Sequence, residues 1–220
     1  MAPGINSMAF LVVAVLVLAA APMAVVAGDP DILTDFVVPR DLLGVPQNVT
    51  GDYFTFTGFQ AALNATMPMP MPTQNFTVNK ATMMEFPALN GQSVSYAMLR
   101  FPSESVNPTH THPRSAELLL VIQGALSVGF VDTTGKLYTQ DLDTGDMFVF
   151  PKGLVHYQSN PGQGPAVALS AFGSAAAGTV SVPVTVFGTG VDDVVLAKSF
   201  KTDVPTVQKL KAALTPPAKK

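Results

Sequence analysis

From Ser93 onward, short apolar runs alternate with clusters of turn-forming residues. The runs fall at 94–101, 117–123, 125–131, 137–142, 147–150, 154–158 and 166–172. Between them stand Gly124, Asp132-Thr-Thr-Gly135, Asp143-Thr-Gly145, Lys152-Gly153 and Pro161-Gly-Gln-Gly164. Many short strands at this spacing predict an all-β sandwich or barrel. Gly124, Gly145 and Gly153 read as turn glycines with structural roles. Leu118-Leu-Leu-Val-Ile122 is apolar on both faces. Such a strand calls for cover on both sides, from a second sheet and from a neighbouring subunit.

After Gly190 the period changes. Residues 191–200 and 204–214 place apolar side chains at helical spacing with lysines opposite, and Pro216-Pro217 ends the second helix. Two amphipathic helices on a β-domain need an apolar surface, which a neighbouring subunit could supply. Residues 28–80 look irregular and rich in turn-formers. Within them Met67-Pro-Met-Pro-Met-Pro72 is held extended by its prolines and reads as a surface loop. Residues 8–27 are uncharged and largely apolar, ending in Val25-Val26-Ala27. The first basic residue is Arg40, so a charged leader is missing, and the stretch is long enough to span a bilayer. Pro22 and the small residues favour a cleaved signal peptide, cut before Gly28. Sequons at Asn48, Asn64 and Asn75 agree with a secreted, glycan-bearing surface and no membrane attachment after cleavage. The expected division is a signal peptide (1–27), an N-terminal arm and loops (28–80), a barrel (81–188), and C-terminal helices with a basic tail (189–220).

Composition narrows the chemistry. Of 220 residues, 48% are hydrophobic and 12% charged, so the surface must be well buried or covered by oligomerisation. A net charge of -3 gives no basic face for nucleic acid. The C-terminal lysines 198, 201, 209, 211, 219 and 220 read as a solvated helix face and tail, with acidic wall polymers as the sharper alternative. The chain has no cysteine, which excludes disulfides, thiolate metal sites and cysteine nucleophiles.

The three histidines are His110, His112 and His156. In His-Thr-His, residues i and i+2 of a strand share a face, so both imidazoles can reach one ion. Pro113 breaks the strand and lets Glu117 turn to the same point. His156 arrives from a later strand after Pro151-Lys-Gly153, and a barrel can bring the two hairpins together. Three imidazoles and one carboxylate leave two octahedral positions open around a divalent ion, which suits a redox metal binding a small anion and differs from a closed structural zinc site. Surface histidine pairs are common, but here every histidine in the chain belongs to one constellation. Arg114 and Lys152 flank the ligands. They read as solvent-exposed charge, with attraction of anions to the mouth as the alternative.

These residues resemble the cupin signature. Its first motif reads Gly, five residues, His-x-His, three or four residues, Glu, six residues, Gly. His110, His112, Glu117 and Gly124 match it, while Glu104 stands where the opening glycine belongs. The second reads Gly, five residues, Pro-x-Gly, two residues, His, three residues, Asn, and Gly145, Pro151, Gly153, His156 and Asn160 match. The segments 107–117, 151–156, 182–188 and 29–36 resemble the germin-like proteins in particular. That resemblance implies a single jelly-roll β-barrel with C-terminal α-helices, manganese, an extracellular or apoplastic wall location, a role in defence, and a homohexamer built as a trimer of dimers. Germins usually carry an N-terminal disulfide, but Val37 stands at the first cysteine position. The arm must therefore be fixed by packing or by a partner subunit, and is expected to be looser. Germins that oxidise oxalate use two asparagines near the metal. One is kept as Asn107, and the other is replaced by Ala97, which cannot donate to a carboxylate.

The preferred activity is superoxide dismutation through Mn(2+) held by His110, His112, Glu117 and His156. Asn107 would orient a water or anion, or start a local turn before Pro108. Oxalate oxidation is the alternative enzyme, and a wall-associated binding or storage protein is the non-catalytic one.

Overall fold

The computed structural model describes residues 28–214 apart from 39, 46–47, 61–62 and 64–74. The signal segment, Met67–Pro72, Asn64, Pro216-Pro217 and the last two lysines lie outside the described residues. Among the described residues, ten strands form two five-stranded sheets. They are β1 (Thr77–Ala81), β2 (Ser95–Phe101), β3 (Ser105–Thr111), β4 (Glu117–Gln123), β5 (Leu126–Val131), β6 (Leu137–Leu142), β7 (Met147–Phe150), β8 (Val155–Asn160), β9 (Ala166–Phe172) and β10 (Val180–Ser181). One sheet runs β1-β2-β9-β4-β7 and the other β10-β3-β8-β5-β6. Every pairing is antiparallel. The all-β cupin barrel expected from the sequence is the fold observed.

The alternation of side chains along each strand sends one set between the sheets. There Leu99, Phe101, Leu119, Val121, Leu126, Val128, Leu142, Phe150, Ala166 and Ala168 form one buried core. This core fills one end of the barrel and leaves the other end to polar residues. On β4, Leu119 and Val121 are fully covered, whereas Leu118 is 41% exposed and Ile122 38%. Met147 and Val149 on neighbouring β7 are exposed too. The second sheet thus supplies one of the two covers that this strand calls for.

The turn glycines Gly124, Gly145 and Gly153 all have positive φ. Glu104, at the place of the motif's opening glycine, has φ 59°. The backbone there keeps a left-handed turn that a side chain occupies only at a cost.

Three helices follow the barrel: α1 (Val182–Phe187), α2 (Asp193–Ser199) and α3 (Val204–Leu214). Asp192 caps α2, its Oδ1 accepting from the backbone N–H groups of Val194 and Val195 at 2.9 and 3.1 Å. Leu196, Ala197 and Val207 bury a separate small core between the helices. Lys211 pairs with Asp193, so this lysine is tied down at the helix surface. Helix α1 starts before residue 188, and β1 begins at Thr77, before the expected barrel start at 81.

The cysteine-free arm is fixed by packing and by a carboxylate clamp. Asp29 accepts from the Ser174 hydroxyl and the Ala175 N–H, each at 2.6 Å. Phe36, Tyr53 and Phe54 form an aromatic cluster, and Phe56 stacks on Phe86. Among the described residues no helix is long and apolar enough to cross a membrane.

Candidate metal centre

Strand pairing brings the ligand residues to the polar end of the barrel. His110 on β3 lies directly opposite His156 on β8. The β3–β8 register shifts between Asn107 and His110, a bulge that re-aims the strand. Glu117 opens β4 in the other sheet, so the ligands come from both walls of the barrel. The strand carrying His110 ends at Thr111. His112 follows directly after it, and its imidazole meets that of His110 in one cluster as the His-x-His spacing predicts. The Gly153 N–H donates to the His112 carbonyl at 3.2 Å and ties this stretch to the turn before β8.

One potential ligand atom from each of His110, His112, Glu117 and His156 lies within 4.8 Å of the others, and all four residues are buried. Each imidazole donates its Nδ1–H to a backbone carbonyl. The acceptors are Pro108 for His110 at 2.7 Å, Gly178 for His112 at 2.5 Å and Leu154 for His156 at 2.8 Å. That fixes the tautomer and leaves Nε2 as an unshared pair facing inward. Nε2 of His112 and of His156 each stand 3.1 Å from Glu117 Oε2. Lone pairs and a carboxylate turned on one another in a buried space repel. Only a cation between them, a proton or a metal ion, relieves this. The donor set fits a divalent transition metal.

Burial, reinforced by the nearby His156, lowers the His110 pKa to about 4, so its imidazole is neutral at ordinary pH. Burial would raise the Glu117 carboxyl, but hydrogen bonds from His112 and His156, with a proton on Nε2 standing in for a metal, and one from Ser170 outweigh it and hold the pKa at about 2. Both groups therefore sit in the protonation state that a metal requires.

Two residues that sequence reasoning missed support Glu117. Gln158 Nε2 donates to Glu117 Oε1 at 3.1 Å, and the Ser170 hydroxyl donates to the same oxygen at 2.5 Å. Both are fully buried. Asn107 donates to Gln158 Oε1 at 2.6 Å. It stands behind Gln158 and is not among the residues lining the cavity beside the ligands, so its side chain acts on Glu117 through an intermediary. Gly178 is a third missed residue. Its φ is 71°, and an added Cβ would lie 2.7 Å from Arg114 Nη2. The glycine lets the guanidinium lie across the loop while its own carbonyl orients His112. Arg114 Nε donates to the Ala176 carbonyl, and Arg114 lines the cavity mouth, which Lys152 does not.

The cavity beside the ligands has a volume of about 320 Å³. Ala97 is in its wall, with Val78, Leu99, Phe172 and Ala177.

A cupin family model matches residues 63–208. The chain is 71% identical to germin-like protein 9-3 of Oryza sativa subsp. japonica over 210 residues, covering 95% of this chain and 97% of that one. The chain belongs to the germin-like proteins of the cupin family. It is also 52% identical to germin-like protein 9-1 of the same rice over 207 residues, covering 93% of this chain and 81% of the relative. Among solved structures, a recombinant oxalate oxidase in complex with glycolate superposes with a TM-score of 0.75 at 31% identity, covering 84% of this chain and 98% of the other. For this germin-like chain the sequence pattern, the relatives and the solved neighbour thus agree on the fold.

Proposed function

We propose that this germin-like chain is a secreted manganese protein with superoxide dismutase activity. The carrying observation is the fixed tautomer of all three histidines, which turns three Nε2 atoms and one Glu117 oxygen toward a common point. A manganese ion bound there would supply the one-electron chemistry that converts two superoxide ions and two protons from solvent into oxygen and hydrogen peroxide. The chain's residues do the rest. His110, His112, Glu117 and His156 would hold the ion. Gln158 and Ser170 keep Glu117 ionised and aimed, and the two cations Lys80 and Arg114, against the single carboxylate of Glu85, leave the cavity lining positive toward entering anions.

Location and assembly belong to the same proposal. The apolar leader and the exposed sequons at Asn48 and Asn75 support secretion to the apoplast. The exposed Leu118, Ile122, Met147 and Val149 support assembly, read from the family as a hexamer. A role in defence follows from the family alone.

Oxalate oxidation is the second reading, favoured by the oxalate oxidase neighbour. Ala97 in the cavity wall opposes it, because an alanine side chain offers a second carboxylate no donor at that position. The test is elemental analysis of protein secreted from a plant host, followed by superoxide and oxalate assays. About one manganese per chain with superoxide turnover supports the proposal. Stoichiometric zinc without turnover overturns it in favour of a binding or storage role. Ala97→Asn raising oxalate turnover above background would show that this position decides between the two enzymes.

A further inference from the structure

A path of aromatic rings leads away from the ligands, and dismutation has no use for it. Phe150 stacks on the ligand His156, with ring centroids 4.5 Å apart and planes 22° from parallel. Phe148 lies 5.0 Å from Phe150, and Phe130 lies 6.0 Å from Phe148. Tyr138 then stacks on Phe130 at 5.0 Å and 18°. Strand register gives a shorter route through the same end residues. His156, Phe130 and Tyr138 are direct partners on β8, β5 and β6, so they share one face. Tyr138 is thus two strand spacings from the ligand, about 10 Å between Cα atoms. Among the described residues no other path of ring contacts joins a ligand to a tyrosine.

The path ends at the surface. Tyr138 is 38% exposed, and its hydroxyl donates to Asp132 Oδ2 at 3.3 Å. The other oxygen, Oδ1, accepts from the Thr134 N–H, the Thr134 hydroxyl and the Lys136 N–H at 2.8, 2.7 and 2.9 Å. The bonds from Thr134 and Lys136 hold the Asp132 carboxyl below the usual carboxylate range, so it is ionised at neutral pH. The Lys136 ammonium sits 4.5 Å from the Tyr138 ring centroid. A cation on the ring face favours the neutral ring and opposes a ring cation. Tyr138 therefore loses an electron most readily together with its proton, and Asp132 is placed to take that proton.

We infer that Tyr138 is the surface terminus of a one-electron route to the metal centre, where small phenols deliver electrons. This rests on a redox metal held by the four ligands, and not on dismutation. Tyr138 passes one electron past Phe130 and His156 to the oxidised centre, its O–H bond breaks, and the proton goes to Asp132. The neutral phenoxyl radical left on Tyr138 takes a hydrogen atom from a phenol in solution. Exchange between two phenols needs little driving force, which is why a phenol suits this site. The terminal oxidant is superoxide. Each turn converts one phenol, one superoxide and one proton into a phenoxyl radical and hydrogen peroxide.

Spin-trap labelling of the metal-loaded, full-length secreted protein tests this. Superoxide comes from an enzymatic generator, and adducts of a nitroso trap are located by peptide mass spectrometry. The adduct should fall on Tyr138 and be absent from chelator-stripped protein. Tyr96 is the internal control, because it is 41% exposed and lines the cavity but lies on no ring path to a ligand. Phe130→Leu should lower the Tyr138 adduct severalfold at unchanged metal content, and Tyr138→Phe should abolish it. Excess tyramine should clear the adduct and be consumed. Should Phe130→Leu lose its metal, the comparison of Tyr138 with Tyr96 decides. Equal labelling of Tyr96, labelling without metal, no labelling of Tyr138, or an adduct that persists in tyramine overturns the inference. Superoxide turnover is measured on the same preparation. Turnover without a Tyr138 adduct sinks only the electron route. A tyramine-sensitive adduct without turnover sinks only the dismutase reading.

Discussion

At the floor of the cavity, Glu117, Gln158, Ser170 and Asn107 are joined in one hydrogen-bonded chain behind the metal ligands. Along its wall, Val78, Ala97, Leu99, Phe172 and Ala177 offer nothing to bond to. The floor is a buried polar network whose members depend on one another, so removing one strands the rest. The wall is a set of independent surfaces, each exchangeable at the cost of its own volume. A site built this way can keep its polar cluster while its wall changes.

The largest break in that comparison is a ligand change. His112→Ala or Glu117→Gln should reduce metal content from about one per chain to near zero, read by elemental analysis, and abolish turnover. Ala97→Ser, a wall change of similar size, should leave metal content unchanged. Next come the supporting residues. Gln158→Leu or Ser170→Ala should weaken metal affinity by about 10- to 100-fold, measured by chelator competition, without removing a ligand.

Acid sharpens the contrast further, because the ligand cluster titrates and the apolar wall residues do not. His110 is about 4 in the folded protein against an ordinary 6.5, so the unfolded chain binds the extra proton first. Its contribution to stability is complete above pH 6.5 and is lost as pH falls toward 4. Glu117, about 2 against 4.5, adds a loss below pH 4.5. The melting temperature of metal-free protein should therefore fall steadily from pH 6.5 downward. The metal-loaded protein should hold level until protons displace the ion.

The smallest effect lies outside the cavity. Glu104→Gly should stabilise the protein by about 1 kcal/mol, because the left-handed turn there favours glycine. Chemical denaturation would show it, with metal binding unaltered.

The sequence carries parts of this structure unequally, for physical reasons. Strands such as β4 and β9 are legible because their inward residues are apolar. Strand β3 is not, since Ser105-Val-Asn-Pro-Thr-His-Thr111 turns its ligand side inward and reads as polar. Strand β1 carries the exposed polar residues Asn79 and Lys80 in succession and is equally faint. Helix α1 is built of Val182-Pro-Val-Thr-Val-Phe187, β-branched residues of low helix propensity, with Pro183 fitting its first turn. Packing against the other helices overrides that preference. The ligands were legible from motif spacing. Gln158 and Ser170 had a signal as well: each is a polar residue in the inward phase of its strand, Gln158 two positions from His156. Gly178 had none, because its role depends on a loop closing over Arg114.

The Asp29 clamp joins residues 146 positions apart. During synthesis the carboxylate waits from nearly the first residue of the expected mature chain until the loop after β9 has been made. Loop closure over such a distance is entropically late, so the clamp forms only after the barrel has placed both ends side by side. It works as a latch on a finished box, not as a hinge for its assembly. Asp29→Ala should leave the folding rate nearly unchanged and speed unfolding. Its loosening would reach the metal centre through the same loop, whose Gly178 carbonyl holds His112.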